Sequence, residues 1–379
     1  MKSIYLDYAA ATPLGPEVRA AMEPYFAGKF YNPSATYLAA RAVHKDLEAA
    51  RQTVAVQLGA RPAEIVFTAG ATEANNLAIQ GIMSQYPDGE ALASLIEHES
   101  VLEPARSFNV KEVPVTPQGI IDLPKLEKLI TPETVLVSTM LVNNELGTIQ
   151  PIGEIAKILN KLRILRKNGL PLYLHTDAAQ AGNYLDLHTN RLGVDLMSIN
   201  GGKIYGPKQS GALYIKTGTK LRPLIVGGGQ EFGLRSGTEN VAGAIGLAKA
   251  LELAQQKRTA ESQLILEFRR LFEDGLQKQI PGALINGSKN HRAPHVLSVT
   301  FPGMDNERLM MELDEQGVQC AVGSACSASR EEVSHVLSAI GLSDELARAT
   351  LRFSVGRFTT KSDIQKVLKI LVQLTSSNR

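Results

Sequence analysis

Strand-like and helix-like segments alternate through the middle of this chain, and that alternation restricts the possible folds more than any other feature. Residues 64–68 (EIVFT) are an apolar, β-branched run, and a helical pattern follows from Thr72. From Pro151, apolar residues recur every three or four positions, which predicts a helix that closes at Asn168 and Gly169. Strands that alternate with helices favour an α/β fold with a mostly parallel sheet.

The last third of the chain has a different pattern. A long helix with a polar face is predicted over residues 247–279, and short strands and helices follow it. This order is typical of a smaller α+β domain. We therefore expect a domain boundary inside the long helix, near residue 255.

The composition excludes several classes of protein. The net charge of the 379 residues is only +2, so the sequence gives no reason to expect a nucleic-acid partner. No apolar run is long enough to span a membrane, and the first residues lack the apolar region of a signal peptide. Two cysteines do not make a disulfide framework. We expect a cytoplasmic protein with no membrane contact.

Four polar side chains lie just past the ends of predicted strands. They are Thr72, Asn144, Asp177 and Lys203. In an open parallel sheet, ligands bind at the carboxyl ends of the strands. The four side chains are therefore predicted to converge on one crevice.

Residues 198–208 (SINGGKIYGPK) place two lysines in a glycine-rich turn, which is typical of phosphate binding. One possibility is a nucleotide-binding loop, G-x-x-x-x-G-K-[ST]. Pro207 disfavours it, because it separates the second glycine from Lys208 and removes a backbone N–H. The other possibility is a Schiff base between a lysine and a cofactor that carries its own phosphate, pyridoxal 5'-phosphate.

The Schiff-base interpretation explains more of the sequence. A buried carboxylate at Asp177 would keep a pyridine nitrogen protonated, and a partly desolvated Lys203 would be a usable amine. The helix that begins within residues 69–76 (AGATEANN) offers backbone N–H groups to a phosphate. Each of these residues taken alone is more often structural, so the interpretation depends on their combination. His175 and Asp177 are too few for a metal site, and none is expected.

The combination resembles one family, the pyridoxal-phosphate-dependent cysteine desulfurases of the NifS/IscS type. The matching segments run in order along nearly the whole chain, and they are IYLDYAAATP, NPSA, EIVFTAGATEANNLAI, VNNELGTIQPI, HTDAAQ, KIYGPK, GGGQEFGLRSGTEN, GSAC and LRFSVGRFTT. The resemblance implies PLP-dependent transferase fold type I, with a mostly parallel seven-stranded sheet in the large domain. It also implies a large domain over 12–255, a small α+β domain from 1–11 and 256–379, and a homodimer.

The resemblance assigns catalytic roles to three residues. Lys203 would form the Schiff base and move the substrate Cα proton, and His98 would stack on the cofactor ring. Cys326, in a stretch of small residues typical of an exposed, mobile loop, would attack the sulfur of L-cysteine. The products would be L-alanine and a Cys326 persulfide, which would donate sulfur to an acceptor protein for iron–sulfur cluster assembly or tRNA thiolation. Cys320 lies in an apolar strand and is expected to be a core residue.

The remaining roles concern binding. Asp177 would face the pyridine nitrogen, and Asn144 and Gln180 would bond the ring hydroxyl or the substrate side of the cofactor. Arg352 would pair with the substrate carboxylate, a role for which Arg357 is a rival. The residues that would hold the phosphate are Ala71, Thr72 and Asn200, with Thr238 reaching the phosphate of the partner subunit.

The chain departs from the family pattern beside its lysine. The family usually has Ser-Gly-His-Lys where this chain has Asn200-Gly201-Gly202-Lys203. The resemblance therefore implies either a weaker hold on the phosphate or another residue that fills the gap. Asn200 can still donate through its amide, and Gly202 keeps only its backbone N–H. Lys208 is expected to be a turn residue or a surface charge. Phe232 also stands where arginine is usual.

Two alternatives remain open from the sequence. A selenocysteine lyase or related PLP β-lyase on the same fold would use Lys203 without needing Cys326. A sulfur-relay or scaffold protein with weakened cofactor binding is a more distant alternative, which Gly202 keeps open.

Overall fold

The computed structural model of the protein describes residues 3–167, 169–323 and 333–377. The predicted nucleophile Cys326 lies outside these residues. Within them, no helix combines the length and the apolar composition needed to cross a membrane.

Twelve strands are present in the described residues. They are β1 (Ile4–Tyr5), β2 (Ile65–Thr68), β3 (Glu90–Ser94), β4 (Asn109–Val113), β5 (Thr134–Ser138), β6 (Tyr173–Asp177), β7 (Leu196–Asn200), β8 (Gly211–Ile215), β9 (Leu284–Ile285), β10 (Val296–Thr300), β11 (Val318–Gln319) and β12 (Thr350–Ser354).

Twelve α-helices separate or flank these strands in the same residues. They are α1 (Pro16–Met22), α2 (Leu38–Leu58), α3 (Ala71–Met83), α4 (Glu99–Arg106), α5 (Leu123–Leu129), α6 (Ile152–Leu165), α7 (Thr189–Leu192), α8 (Val241–Gln279), α9 (Asn306–Glu315), α10 (His335–Ala339), α11 (Asp344–Ala347) and α12 (Lys361–Ser377).

The central sheet has seven strands in the order β2-β8-β7-β6-β5-β3-β4. Strand β8 is antiparallel to both of its neighbours, and the other adjacent strands are parallel. Apolar side chains on its faces pack against helices in two large cores, as expected for a sheet covered on both sides. The prediction of a mostly parallel seven-stranded sheet is confirmed.

Two smaller sheets are formed by the last third of the chain together with β1. Strands β12, β10 and β9 form an antiparallel sheet, and β1 pairs with β11 in parallel. Beyond β1, the Leu6 N–H donates to Gln319 O, and Leu6 O accepts from the Ser354 N–H. The beginning of the chain is therefore part of the smaller sheet region, and Asp7 is brought next to β12.

Helix α8 connects the two regions. It has 39 residues, and its buried side chains up to Ala254 pack in the core of the large sheet. From Ile265 to Leu276 its buried apolar side chains pack in the core of the smaller sheets. One continuous helix thus contributes to both cores.

Helix α6 is shorter than the sequence predicts. It ends at Leu165, and Arg166 already has an extended backbone with ψ of 135°. The Arg166 guanidinium donates hydrogen bonds to the carbonyls of Pro171 and Thr131. These bonds tie the chain to the loop before β5 and end the helix before Gly169.

Candidate active site

The carboxyl ends of β6 and β7 open into a cleft of about 190 Å³. The cleft is lined by Ala9, Ala10, Ala71, Thr72, His98, Ser100, Met140, Val142, Asn144, Asp177, Ala179, Gln180, Asn200, Lys203 and Arg352. The set includes all four side chains that the sequence predicts to converge. It also includes His98, Ala71, Gln180, Asn200 and Arg352 from the sequence-predicted site.

Lys203 reaches the cleft through a tight turn. A 3₁₀ turn, Gly201–Lys203, follows β7 directly. A Cβ at Gly201 would lie 2.1 Å from Ser210 Oγ, so this position requires glycine. The Lys203 Nζ donates to the carbonyl oxygens of Ala9 and Ala10 at 2.9 and 2.6 Å. The amine is therefore held at the cleft by the segment that follows β1.

Asp177 is the centre of a buried hydrogen-bond network. It is 6% exposed, and its Oδ1 accepts from the Ala179 N–H at 2.8 Å. The amide of Asn75, on α3, donates to Asp177 Oδ2 and to Ser100 Oγ, both at 2.8 Å. Because the carboxylate accepts from fixed donors, its position at the end of β6 is set before any ligand arrives.

The same network orients His98, which is the N-cap of α4. Its Nδ1 accepts from the Ser100 N–H at 3.1 Å and lies 2.9 Å from Ser100 Oγ. With Nδ1 as an acceptor, the neutral ring carries its proton on Nε2. Burial lowers the pKa of His98, so the neutral ring is favoured near pH 7.

A second cavity, of about 490 Å³, adjoins the cleft at the start of α3. Its lining includes Ala71, Thr72, Asn200 and Gly202. The N-cap Gly70 has φ of 135°, a conformation that side chains rarely adopt, and it leaves the first N–H groups of α3 open to this space. A helix N-terminus of this kind favours an anion.

The Gly202 N–H is engaged within its own turn in this structure. That N–H donates to Asn200 Oδ1 at 3.0 Å. This bond uses the Gly202 N–H and Asn200 Oδ1, and it leaves the side-chain N–H groups of Asn200 as donors in the cavity.

Arg352, on β12, closes the opposite side of the cleft. Its Nη2 donates to Asp7 Oδ1 at 2.7 Å, and its Nη1 donates to Asn144 O at 3.2 Å. The side chain is buried, and Nε has no hydrogen-bond partner among the described residues. A buried guanidinium with an unsatisfied donor is well suited to receive a carboxylate.

Arg357, the rival for that role, is committed elsewhere. Its Nε and Nη2 donate to both carboxylate oxygens of Glu261, at 2.8 and 3.1 Å. Its guanidinium also lies over the ring of Tyr205, 4.0 Å from the centroid. It does not line the cleft.

Gln180 and Thr238 differ in their relation to the cleft. Gln180 lines it, with its amide donating to Ala9 O at 2.8 Å and its Oε1 lying 3.2 Å from His295 Nε2. Thr238 lies instead in a separate cavity of about 250 Å³, between the start of α8 and β2. Within one chain, it is not part of the cleft.

Three buried or half-buried groups at the site were not predicted from the sequence. Asn75 lies one helical turn beyond Ala71 and could have been found from that periodicity. Asp7 reaches Arg352 only through the pairing of distant strands. Glu97 is fully buried, and its Oε1 accepts from the Met140 N–H at 2.7 Å. Burial, reinforced by the nearby Asp177 carboxylate, raises the pKa of Glu97 to about 8.

Cys320, which the sequence places in a core strand, is half-buried and lies one residue past the end of β11. It packs against the core of the smaller sheets, and burial raises the pKa of its thiol to about 12. A thiol in this state is a poor nucleophile near pH 7.

The residues present fit pyridoxal 5'-phosphate. A carboxylate (Asp177) and an amine (Lys203) line one cleft with an imidazole (His98), and the start of a helix opens beside them. The cofactor needs these groups for its ring nitrogen, its aldehyde, its ring face and its phosphate. Arg352, with its unsatisfied Nε, lines the same cleft.

Comparisons with known proteins agree with this donor set. The family model "Aminotransferase class-V" matches residues 4–367. Cysteine desulfurase IscS of Dictyoglomus turgidum is 42% identical over 385 residues, covering 100% of this chain and 96% of that protein. A solved NifS-like protein superposes with a TM-score of 0.91 at 33% identity, covering 99% of this chain and 100% of the other. The structure of SspA in complex with cysteine has a TM-score of 0.81 at 35% identity, with coverage of 94% and 100%.

The fold and the site therefore define a pyridoxal-phosphate enzyme of the class V aminotransferase type. Within that class, the chain belongs to the cysteine desulfurase family of the NifS/IscS type.

Proposed function

We propose that this protein is a cysteine desulfurase that converts L-cysteine to L-alanine and passes the sulfur to its own Cys326. The observation that carries the proposal is the convergence of Lys203, Asp177 and Arg352 on one cleft. An amine, a buried carboxylate and a guanidinium are what a pyridoxal-phosphate reaction on an amino acid requires. A relative named as a cysteine desulfurase, 42% identical over 385 residues, supports the choice of substrate.

Arg352 binds the substrate carboxylate in this proposal. Its Nε is unsatisfied among the described residues, and its Nη2 is held by a single carboxylate, that of Asp7. A substrate carboxylate can take two parallel N–H bonds from the guanidinium, which orients the amino acid. Asn144 lines the cleft beside it and contacts the substrate side of the cofactor.

Lys203 moves the proton at the substrate Cα. When bound, pyridoxal 5'-phosphate supplies a ring that stabilises negative charge at that carbon. Asp177, fixed by Asn75 and the Ala179 N–H, holds the proton on the ring nitrogen. The Lys203 amine is kept close by two backbone carbonyls and acts first as base and then as acid.

The other cleft residues position the cofactor. The neutral His98, which Ser100 directs into the cleft, would lie against the ring face, and Gln180 would bond the ring hydroxyl. Ala71, Thr72 and Asn200 would hold the phosphate at the start of α3.

The residues that flank the segment containing Cys326 support its role. On one side, Ala321 exchanges backbone hydrogen bonds with Arg352. On the other, His335 Nε2 lies 2.9 Å from Glu97 O, and Ser334 donates to Glu145 at 2.6 Å. The described residues on either side of the segment thus bond to Arg352, which lines the cleft, and to Glu97 and Glu145, which adjoin the cleft residues His98 and Asn144 in the chain.

The proposal includes a homodimer in which Thr238 serves the phosphate of the partner subunit. Several large apolar side chains are exposed on this chain, which favours an interface. They include Phe30, Tyr37, Leu38, Val226 and Phe232. Phe232 has φ of 59° and lies 5.0 Å from the Arg51 guanidinium, near the cavity that contains Thr238.

The biological setting is also part of the proposal. We place the enzyme in the cytoplasm, where its persulfide supplies an acceptor protein for iron–sulfur cluster assembly or tRNA thiolation. We also keep the domain division, with 12–255 as the large domain and 1–11 with 256–379 as the small one. Ala254 is the last α8 side chain packed in the large core, which supports a boundary near 255.

One experiment tests both substrate and nucleophile. Wild type and Cys326→Ser, with Cys320→Ser as the matched control, are assayed for alanine from L-cysteine and from L-selenocysteine. We expect alanine from L-cysteine with wild type and Cys320→Ser, and little with Cys326→Ser. Unchanged alanine formation by Cys326→Ser would eliminate the persulfide, and activity confined to selenocysteine would favour a lyase.

A further inference from the structure

The turn between β7 and β8 carries a second lysine, Lys208, that the proposed reaction does not use. Its side chain is largely exposed, and its Nζ donates to Thr12 O at 2.7 Å. Thr12 in turn contacts Gly202, since its N–H and its hydroxyl both donate to Gly202 O at 3.1 Å. Lys208 and Gly202 are thus connected through the same short segment.

Gly202 leaves an open space that Lys208 borders. A Cβ built on Gly202 would meet Asn200 Oδ1 at 3.4 Å, Lys208 Cγ at 3.8 Å and Lys208 Cα at 3.9 Å. These are ordinary van der Waals distances, so a side chain is compatible with the position. The aliphatic part of Lys208 lies in van der Waals contact with the place where a side chain at 202 would begin.

Lys208 also lines the cavity at the start of α3, together with Thr72 and Gly202. The acid in this lining, Glu73, is already neutralised, because it accepts from Arg235 Nε and from the Ala69 N–H, both at 2.9 Å. Lys203 is the other cation in the lining, and in the proposed reaction its amine moves the proton at the substrate Cα. A phosphate dianion at the start of α3 therefore lacks a dedicated cation unless Lys208 provides one.

We propose that Lys208 is the cation that binds the cofactor phosphate in this enzyme, in the space that Gly202 leaves open. The ammonium exchanges the single carbonyl of Thr12 for a phosphate oxygen, which is a stronger, charge-assisted acceptor. This inference rests on the cofactor assigned above and goes beyond the proposed reaction. It replaces the expectation that Lys208 is only a surface charge.

The test measures binding to the apoenzyme, without substrate. Pyridoxal 5'-phosphate and pyridoxal, which lacks the phosphate, are titrated into wild type, Lys208→Met, Gly202→His and the double variant. Lys161→Met is the control for loss of an exposed lysine, since Lys161 is 70% exposed and pairs with Glu127 at 3.6 Å. Inorganic phosphate is added as a competitor to each protein.

We expect Lys208→Met to raise the dissociation constant of pyridoxal 5'-phosphate by about tenfold, the lower end of the range for a charged hydrogen bond. Binding of pyridoxal should not change, and competition by inorganic phosphate should weaken. Gly202→His should restore most of the affinity in the double variant, because an imidazole at 202 points into the same space.

Two results would overturn the inference. One is a Lys208→Met protein that binds pyridoxal 5'-phosphate as wild type does, and the other is an equal loss of affinity for pyridoxal. If wild type itself bound no pyridoxal 5'-phosphate, the cofactor assignment would fail, and this inference with it. If wild type bound pyridoxal 5'-phosphate but had no desulfurase activity, the result would count against the proposed reaction. It would leave the inference about Lys208 standing.

Discussion

The two halves of the cleft are built differently. The cofactor half, made of Asp177, Asn75 and His98 with Lys203, is a connected network in which each group is fixed by another or by the backbone. In the substrate half, Arg352 holds one carboxylate, that of Asp7, and keeps an unsatisfied Nε. The comparison indicates that the cofactor half is organised in advance, whereas the substrate half completes its hydrogen bonds when the amino acid binds.

The largest effect is expected from the cofactor half. Replacing Lys203 with alanine removes the group that moves the Cα proton, so kcat for alanine formation should fall by at least about 10³-fold. The fold should persist, as judged by circular dichroism and the melting temperature. Lys161→Ala is the control. A Lys203→Ala enzyme with substantial turnover would show that the Lys203 amine is not the group that moves the Cα proton.

In the substrate half, Arg352→Lys keeps the charge but loses the planar fork. We expect kcat/KM for L-cysteine to fall by about 10²-fold, with the affinity for pyridoxal 5'-phosphate unchanged. Arg357→Lys is the matched control, and it should retain kcat/KM but melt at a lower temperature, because it loses its bidentate bond to Glu261. If the two variants exchanged these effects, the assignment of the substrate carboxylate would be wrong.

A smaller loss of activity is expected when the hydrogen-bond network around Asp177 is broken. Asn75→Leu removes the amide that bonds Asp177 while nearly preserving volume, and kcat should fall by about tenfold. Ser100→Ala should cost less, because Asn75 can still bond Asp177. Steady-state kinetics of both variants decide this, and a larger loss for Ser100→Ala would show that His98, not Asp177, is the group that depends on the network.

The smallest effect concerns Glu97, behind the cofactor half. Its pKa is raised to about 8 in the folded protein, so the folded state binds its proton more tightly than the unfolded chain does. The stability that this provides is complete below the usual carboxyl pKa and is lost as the pH rises toward about 8. The melting temperature of Glu97→Gln minus that of wild type should therefore increase by roughly 5 °C between pH 5 and pH 8. Parallel melting curves across that range would contradict the raised pKa.

Much of the site could be predicted from residues at the ends of strands. Asp177 and Lys203 follow strands that the apolar pattern identifies, and the structure brings them to the same cleft. This works because parallel strands carry their carboxyl ends to one edge.

The features of the fold and the site that could not be predicted from the sequence depend on contacts between distant segments. The pairing of β1 with β11 places Asp7 beside Arg352, and no local pattern encodes that register. The helix closure predicted at Asn168 and Gly169, of which Asn168 lies outside the described residues, was wrong, since α6 already ends at Leu165 and the Arg166 side chain bonds to the carbonyls of Pro171 and Thr131.

Helix α8 sets the spacing between the two halves of the cleft. Its 39 residues span about 58 Å, and none of the side chains at positions 255–264 is fully buried. Inserting one residue there would turn one core relative to the other by about 100° and move it by about 1.5 Å. The number of residues in α8 therefore fixes the distance and the rotation between the two cores. An insertion in α8, unlike one in a surface loop, should separate Lys203 from Arg352.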